Sequence, residues 1–160
     1  MRVGVPKKIK DHAYRVGLVP SSVVELVRHG HDVLVERRAG LGAGLDDDLY
    51  VAAGARIAAD AGVVFAEAEL IVKVEEPLPV ERSRLRRGQV LFTYLHLAPD
   101  PEQTRALLAS GVTAIAHETV TSSAGELPLL TPMSEIAGQL TCRPVADAQG
   151  LAFVAPDKAA

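Results

Sequence analysis

Arg15 is the cation best placed to hold an anion. It precedes Val16-Gly17-Leu18-Val19-Pro20, an apolar stretch able to bury its stem and present the guanidinium as a rigid fork for a carboxylate. The competing reading is a plain surface or structural arginine. Lys7, Lys8, Lys10 and His12 stand just before it and read mostly as solvated charges. His96 closes the run Val90-Leu91-Phe92-Thr93-Tyr94-Leu95. An imidazole there could exchange protons near neutral pH, or be a structural histidine satisfied by its neighbours. Lys73, Glu75 and Glu76 cluster where another apolar run meets Pro77. Lys73 and Glu75 share a side if the strand continues that far, and a local ion pair is the plainer reading.

Two further segments invite chemistry weakly. Gly40-Leu41-Gly42-Ala43-Gly44 approaches the dinucleotide fingerprint, but Leu45 stands where glycine or alanine is needed. A flexible turn into the next helix is the simpler reading. Thr131-Pro132-Met133-Ser134-Glu135 resembles a helix start, and methionine there is ordinarily a packing residue.

The elements that must position these residues alternate along the chain. Arg2 to Val5 reads as a strand stopped by Pro6. Val23, Leu26 and Val27 share a helical face, with Ser22 and Glu25 at capping-box spacing and Gly30 as the stop. A strand follows over Asp32 to Glu36. Asp46, Asp47 and Asp48 open a helix to about Ala53, where negative charge suits its N-terminal end. Further strands are expected at Arg56–Ala58, Glu69–Val74, Val90–Leu95 and Val112–Ala116, and helices at Asp60–Glu67, Glu81–Arg87, Pro101–Ser110 and from about Ser134. Strands alternating with helices imply a three-layer α/β domain with a mainly parallel sheet. Ligands of such sheets bind beyond the carboxyl ends of the strands, where Arg15, Glu75 and His96 fall.

The 160 residues suffice for one domain with a sizeable core. A formal charge of −3 and no long basic run give no reason to expect nucleic acid. Cys142 is the single cysteine, so an internal disulfide and multi-thiolate metal sites are excluded. No apolar run approaches the roughly 18 residues of a membrane-spanning helix, and the N-terminus lacks a signal-peptide core. A cytoplasmic protein is expected.

Read together, these segments resemble the alanine dehydrogenase and pyridine nucleotide transhydrogenase family. The matching pieces run in family order from Met1-Arg2-Val3-Gly4-Val5-Pro6 through Tyr14-Arg15-Val16, His29-Gly30-His31-Asp32-Val33, Gly40 to Gly44 and Ala52-Ala53-Gly54-Ala55. They continue with Ile71-Val72-Lys73-Val74, Glu76-Pro77-Leu78, Leu91 to Ala98 and Pro132 to Gly138. The Tyr94-Leu95-His96-Leu97-Ala98 segment resembles alanine dehydrogenase more than transhydrogenase. The resemblance implies a flavodoxin-like, Rossmann-related substrate domain over residues 1–140, followed by a divergent tail, 141–160. It implies oxidation of L-alanine to pyruvate and ammonia, with NAD taking the hydride. Arg15 would hold the substrate carboxylate, His96 would bind the reacting end as acid or base, and Met133 would line the cleft.

Two departures qualify that expectation. The family motif Lys-Val-Lys-Glu-Pro reads Lys73-Val74-Glu75-Glu76-Pro77 here. Glu75 thus puts a negative group at a substrate-binding lysine position, where it would repel a carboxylate. Lys73 could compensate only through a backbone shift. The resemblance also stops soon after Leu140: Pro144 would interrupt a helix, and no Gly-x-Gly-x-x-Gly unit follows. The expectation is therefore a truncated substrate domain, without the NAD-binding half, holding no NAD by itself, inactive alone and prone to self-association. His117 replaces a frequent family tyrosine without an assigned role. The alternatives are a non-catalytic module for a small carboxylate or a partner, and a transhydrogenase α-subunit-like domain.

Overall fold

Alternate residues of a strand face opposite sides of its sheet, and here both sides are apolar. In β1 (Arg2–Val5) and β2 (Asp32–Glu36), Val3, Val5, Val33 and Val35 enter one core while Leu34 enters another. The first core is closed by Val23 of α1 (Pro20–Arg28) and Tyr50 of α2 (Asp47–Ala52). The second is closed by Val64 and Phe65 of α3 (Ala61–Glu67) and Leu107 of α5 (Pro101–Ser110). Helices therefore cover both faces. Gly4 permits the close approach of α3, because a Cβ there would lie 2.6 Å from the Ala68 side chain. The computed structural model describes residues 1–9 and 14–138.

The remaining elements are β3 (Arg56–Ala58), β4 (Leu70–Val72), α4 (Pro79–Arg82), β5 (Val90–Thr93) and β6 (Thr113–Ala116). All strand pairings are parallel, and the sheet order is β3-β2-β1-β4-β5-β6. The three-layer parallel architecture expected from the sequence is present. Its strand order is that of doubly wound dinucleotide-binding sheets, and the chain changes winding direction between β1 and β4.

Local signals explain most boundaries. Asp46 and Asp60 cap α2 and α3 by accepting hydrogen bonds from Leu49 N (3.0 Å) and Val63 N (3.1 Å). Helix α1 ends in paired bonds from Gly30 N to Val27 O (2.9 Å) and His31 N to Leu26 O (3.1 Å), with Gly30 at φ 78°.

Several boundaries differ from expectation. Ser22 and Glu25 do not cap α1: Pro20 already starts it, its fixed φ suiting the first helical position. The same effect of Pro79 draws α4 forward from the expected Glu81–Arg87. Strands β4 and β5 stop at Val72 and Thr93, short of the expected Val74 and Leu95. Gly40 to Gly44 form a defined turn, a short 3-10 segment closed by Gly44 at φ 75°, and Tyr50 packs where a Gly40 side chain would go.

The chain divides into two compact units, Met1–Ala116 and His117–Ala160. The described part of the second begins with a 3-10 turn at His117–Thr119, where burial lowers the pKa of the His117 ring. It continues to a helical stretch over 131–138, starting before the expected Ser134. Lys10, His12 and the divergent tail 141–160 with Cys142 and Pro144 lie outside the described residues.

Candidate functional site

The winding reversal leaves the connections after β1 and β4 side by side, and a pocket forms between them. The first connection contributes Lys8 and Arg15, the second Lys73 to Glu76 and Glu81. Gly17 lets the first lie directly on β4, since a Cβ there would come 2.5 Å from Val72 O. Tyr50 holds the segment from below, its hydroxyl donating to Leu18 O at 2.9 Å.

The Arg15 guanidinium donates to Glu75 Oε1, and Lys8 Nζ donates to the same oxygen at 2.8 Å. Thr93 Oγ1 donates to Glu75 O at 2.7 Å, fixing that backbone to the end of β5. Lys73 and Glu75 do not form the local pair that their spacing suggested. The ammonium of Lys73 instead donates to Glu81, whose other oxygen accepts from Leu78 N at 2.8 Å. Burial pushes the Lys73 ammonium below its usual pKa, opposed by the Glu81 carboxylate. Among the described residues, three cations and three carboxylates line the pocket, so their formal charges cancel. With these side chains in place the remaining cavity is about 20 Å³, room for about one water.

His96 follows β5, which adjoins β4, so it leaves the same edge of the sheet as Glu75. It does not line the pocket. Its backbone takes a left-handed φ of 46°, and its exposed ring stacks on Tyr94 with centroids 6.1 Å apart. The strand end before it is anchored by Gln103 Nε2, which donates to Leu95 O. Met133 is half-buried in the second unit.

The structure thus joins Arg15 to Glu75, puts His96 on the neighbouring strand end, and leaves Met133 in a separate unit. Sequence reasoning missed three members. Lys8, read as solvated, is mostly buried against Glu75. Glu81, assigned to a polar helix, is buried; its only local signal was its place three residues after Leu78, with Pro79 between. Thr93 had no signal beyond its place on the strand.

The Gly40–Gly44 turn leads into the N-terminus of α2, where Asp46, Asp47 and Asp48 would repel a pyrophosphate. Among the described residues no group of histidine, cysteine and carboxylate side chains is arranged to hold a metal, and no helix is long and apolar enough to cross a membrane.

Residues 4–137 match the family model described as "Alanine dehydrogenase/PNT, N-terminal domain". An alanine dehydrogenase of Mycolicibacterium smegmatis is 52% identical over 143 residues, which cover 89% of this chain and 38% of that protein. A solved L-alanine dehydrogenase superposes with a TM-score of 0.83 at 53% identity, over 88% of this chain and 38% of the other. A transhydrogenase from Sinorhizobium meliloti is more distant, with a TM-score of 0.70 and 33% identity over 74% of this chain and 35% of its own. The chain spans about 38% of the length of the first two. It belongs to the alanine dehydrogenase/PNT family and corresponds to that family's N-terminal domain.

Proposed function

We propose that this chain is the substrate-holding domain of an NAD-dependent L-alanine dehydrogenase. The observation that carries the reading is the meeting of Arg15 and position 75 in a pocket at the β1–β4 winding reversal, the place where open α/β sheets hold ligands. The family reaction takes L-alanine, NAD and water to pyruvate, ammonium, NADH and a proton. In this reading the Arg15 fork takes the substrate carboxylate. His96, on the adjacent strand end, moves a proton at the reacting carbon's nitrogen or oxygen. Met133 keeps the cleft-lining role that the family resemblance implies.

The hydride acceptor is proposed to be held elsewhere, since this chain matches only about 38% of the relatives' length and Asp46 to Asp48 make the Gly40–Gly44 turn unsuited to a pyrophosphate. NAD therefore belongs to family sequence beyond the region matched here. The 160-residue chain alone is proposed to be inactive, since hydride transfer requires a cofactor held against the substrate carbon. The purified chain with L-alanine and NAD should give no rise at the NADH absorbance band; sustained NADH production would overturn this.

Glu75 favours a second reading, a module that binds without turnover. Among the described residues, a lysine at 75 would give the pocket four cations against two carboxylates, whereas the present charges cancel. Pyruvate should accordingly bind Glu75→Lys more tightly than the parent, and equal affinity would sink the substrate assignment of this pocket. A transhydrogenase-like role has less support, given the lower identity to that structure. A cytoplasmic location and self-association through exposed apolar side chains complete the proposal.

A further inference from the structure

We propose that the carboxylate of Glu75 is a built-in occupant of the anion seat formed by Arg15 and Lys8, so that a small monocarboxylate binds only where Glu75 has vacated it. Both cations converge on one oxygen of Glu75. A planar guanidinium and an ammonium meeting on one carboxylate oxygen is the arrangement expected for a bound acid. Here the acid is tethered to the chain. The Thr93 hydroxyl on Glu75 O holds the tether in place, so the effective concentration of the internal carboxylate is about millimolar or higher. The side chains of Lys8 and Glu75 are 17% and 20% exposed and that of Arg15 is 42% exposed, so the seat is open to solvent on the Arg15 side. With Glu75 in place, the cavity left beside it among the described residues is small, about 20 Å³.

The inference rests on the proposed reading only in taking the pocket for a carboxylate site, and acetate separates the two. Glu75→Ala removes Cγ and the carboxylate group, which together have the heavy atoms of acetate. Acetate should therefore restore what the substitution deletes, without being an amino acid or a keto acid. The experiment titrates sodium acetate into the full chain, its Glu75→Ala variant and the Glu75→Ala/Arg15→Ala double variant, by calorimetry and thermal melting. Sodium chloride at equal ionic strength is the control.

The expected result is acetate binding about tenfold or more tighter in Glu75→Ala than in the parent, a melting temperature that rises with acetate but not with chloride, and loss of both effects in the double variant. Equal binding by parent and Glu75→Ala overturns the proposal, as does acetate binding that survives removal of Arg15. Should Glu75→Ala fold only with acetate present, that too supports it; failure to fold in saturating acetate, repeated with Glu75→Ser, counts against it. Acetate binding to Glu75→Ala without any pyruvate binding keeps the internal occupant and removes the alanine reading.

Discussion

Lys73 and Glu81 form an ion pair inside the pocket wall, with side chains only 8% and 1% exposed. Lys73 N also bonds to Phe92 O at 3.0 Å, carrying the β4–β5 ladder one residue past the strand. The first charge after β4 is thereby turned inward and the Lys73 ammonium committed to Glu81, leaving Glu75 to face Arg15.

Breaking that pair should be costly. Glu81→Ala strands a buried ammonium and removes the acceptor of Leu78 N, for an expected loss of about 3–5 kcal/mol in urea unfolding. The double variant Lys73→Met/Glu81→Leu should recover the part due to the stranded ammonium, because two apolar side chains need no partner, while the Leu78 N–H stays without its acceptor. A double variant as unstable as the single one would refute this account.

Stability should depend on pH through Glu36. Burial raises the pKa of its carboxyl, with Lys7 N–H opposing the shift. The folded state therefore holds this proton more tightly than the unfolded state. That contribution is full below the ordinary value of 4.5 and is lost as pH rises through the higher folded value. Glu36→Gln should be more stable than the parent at pH 7, with the gain shrinking below pH 4.5. Melting curves across that range test it, and a gain independent of pH would count against it.

Gly17→Ala should displace the segment that carries Arg15. The added methyl meets Val72 O at 2.5 Å, and backbone cannot yield cheaply. A loss of about 1–3 kcal/mol is expected. Changed amide NMR shifts at both Arg15 and Glu75 would locate the strain; unaltered shifts there would contradict it.

Tyr50→Phe should lose about 1 kcal/mol, the contribution of the hydroxyl bond to Leu18 O. Burial holds the phenol at about 12, so its ultraviolet phenolate signal should be absent at pH 10.5 in the parent. Ionisation of Tyr50 at that pH would show the hydroxyl to be less enclosed.

Leu108 and Ile115 stand 77% and 42% exposed in the first unit. Exposed apolar side chains of this size favour association. Light scattering should show concentration-dependent oligomers, reduced by Leu108→Glu. A parent that stays monomeric at high concentration would remove the expectation.

What was readable in the sequence was what acts over a few residues. Apolar runs marked the six strands of the first unit and the buried face of α1, and Asp46 and Asp60 opened their helices as their side chains dictate. Where two local signals competed, as Ser22 and Pro20 did for the start of α1, the fixed φ of proline prevailed. Arg15, position 75 and His96 drew attention because each ends or follows a strand, and a parallel sheet brings such ends to one edge. Which of them touch was beyond local reasoning. Arg15 and Glu75 are 60 residues apart, and Lys8 and Glu75 are 67 apart. They meet because β1 and β4 are neighbours, a choice made by packing two apolar faces of the sheet at once. The same packing buried Glu81 and gave Lys73 its partner, so only the tertiary structure could turn Glu75 from a misplaced charge into the group that Arg15 holds.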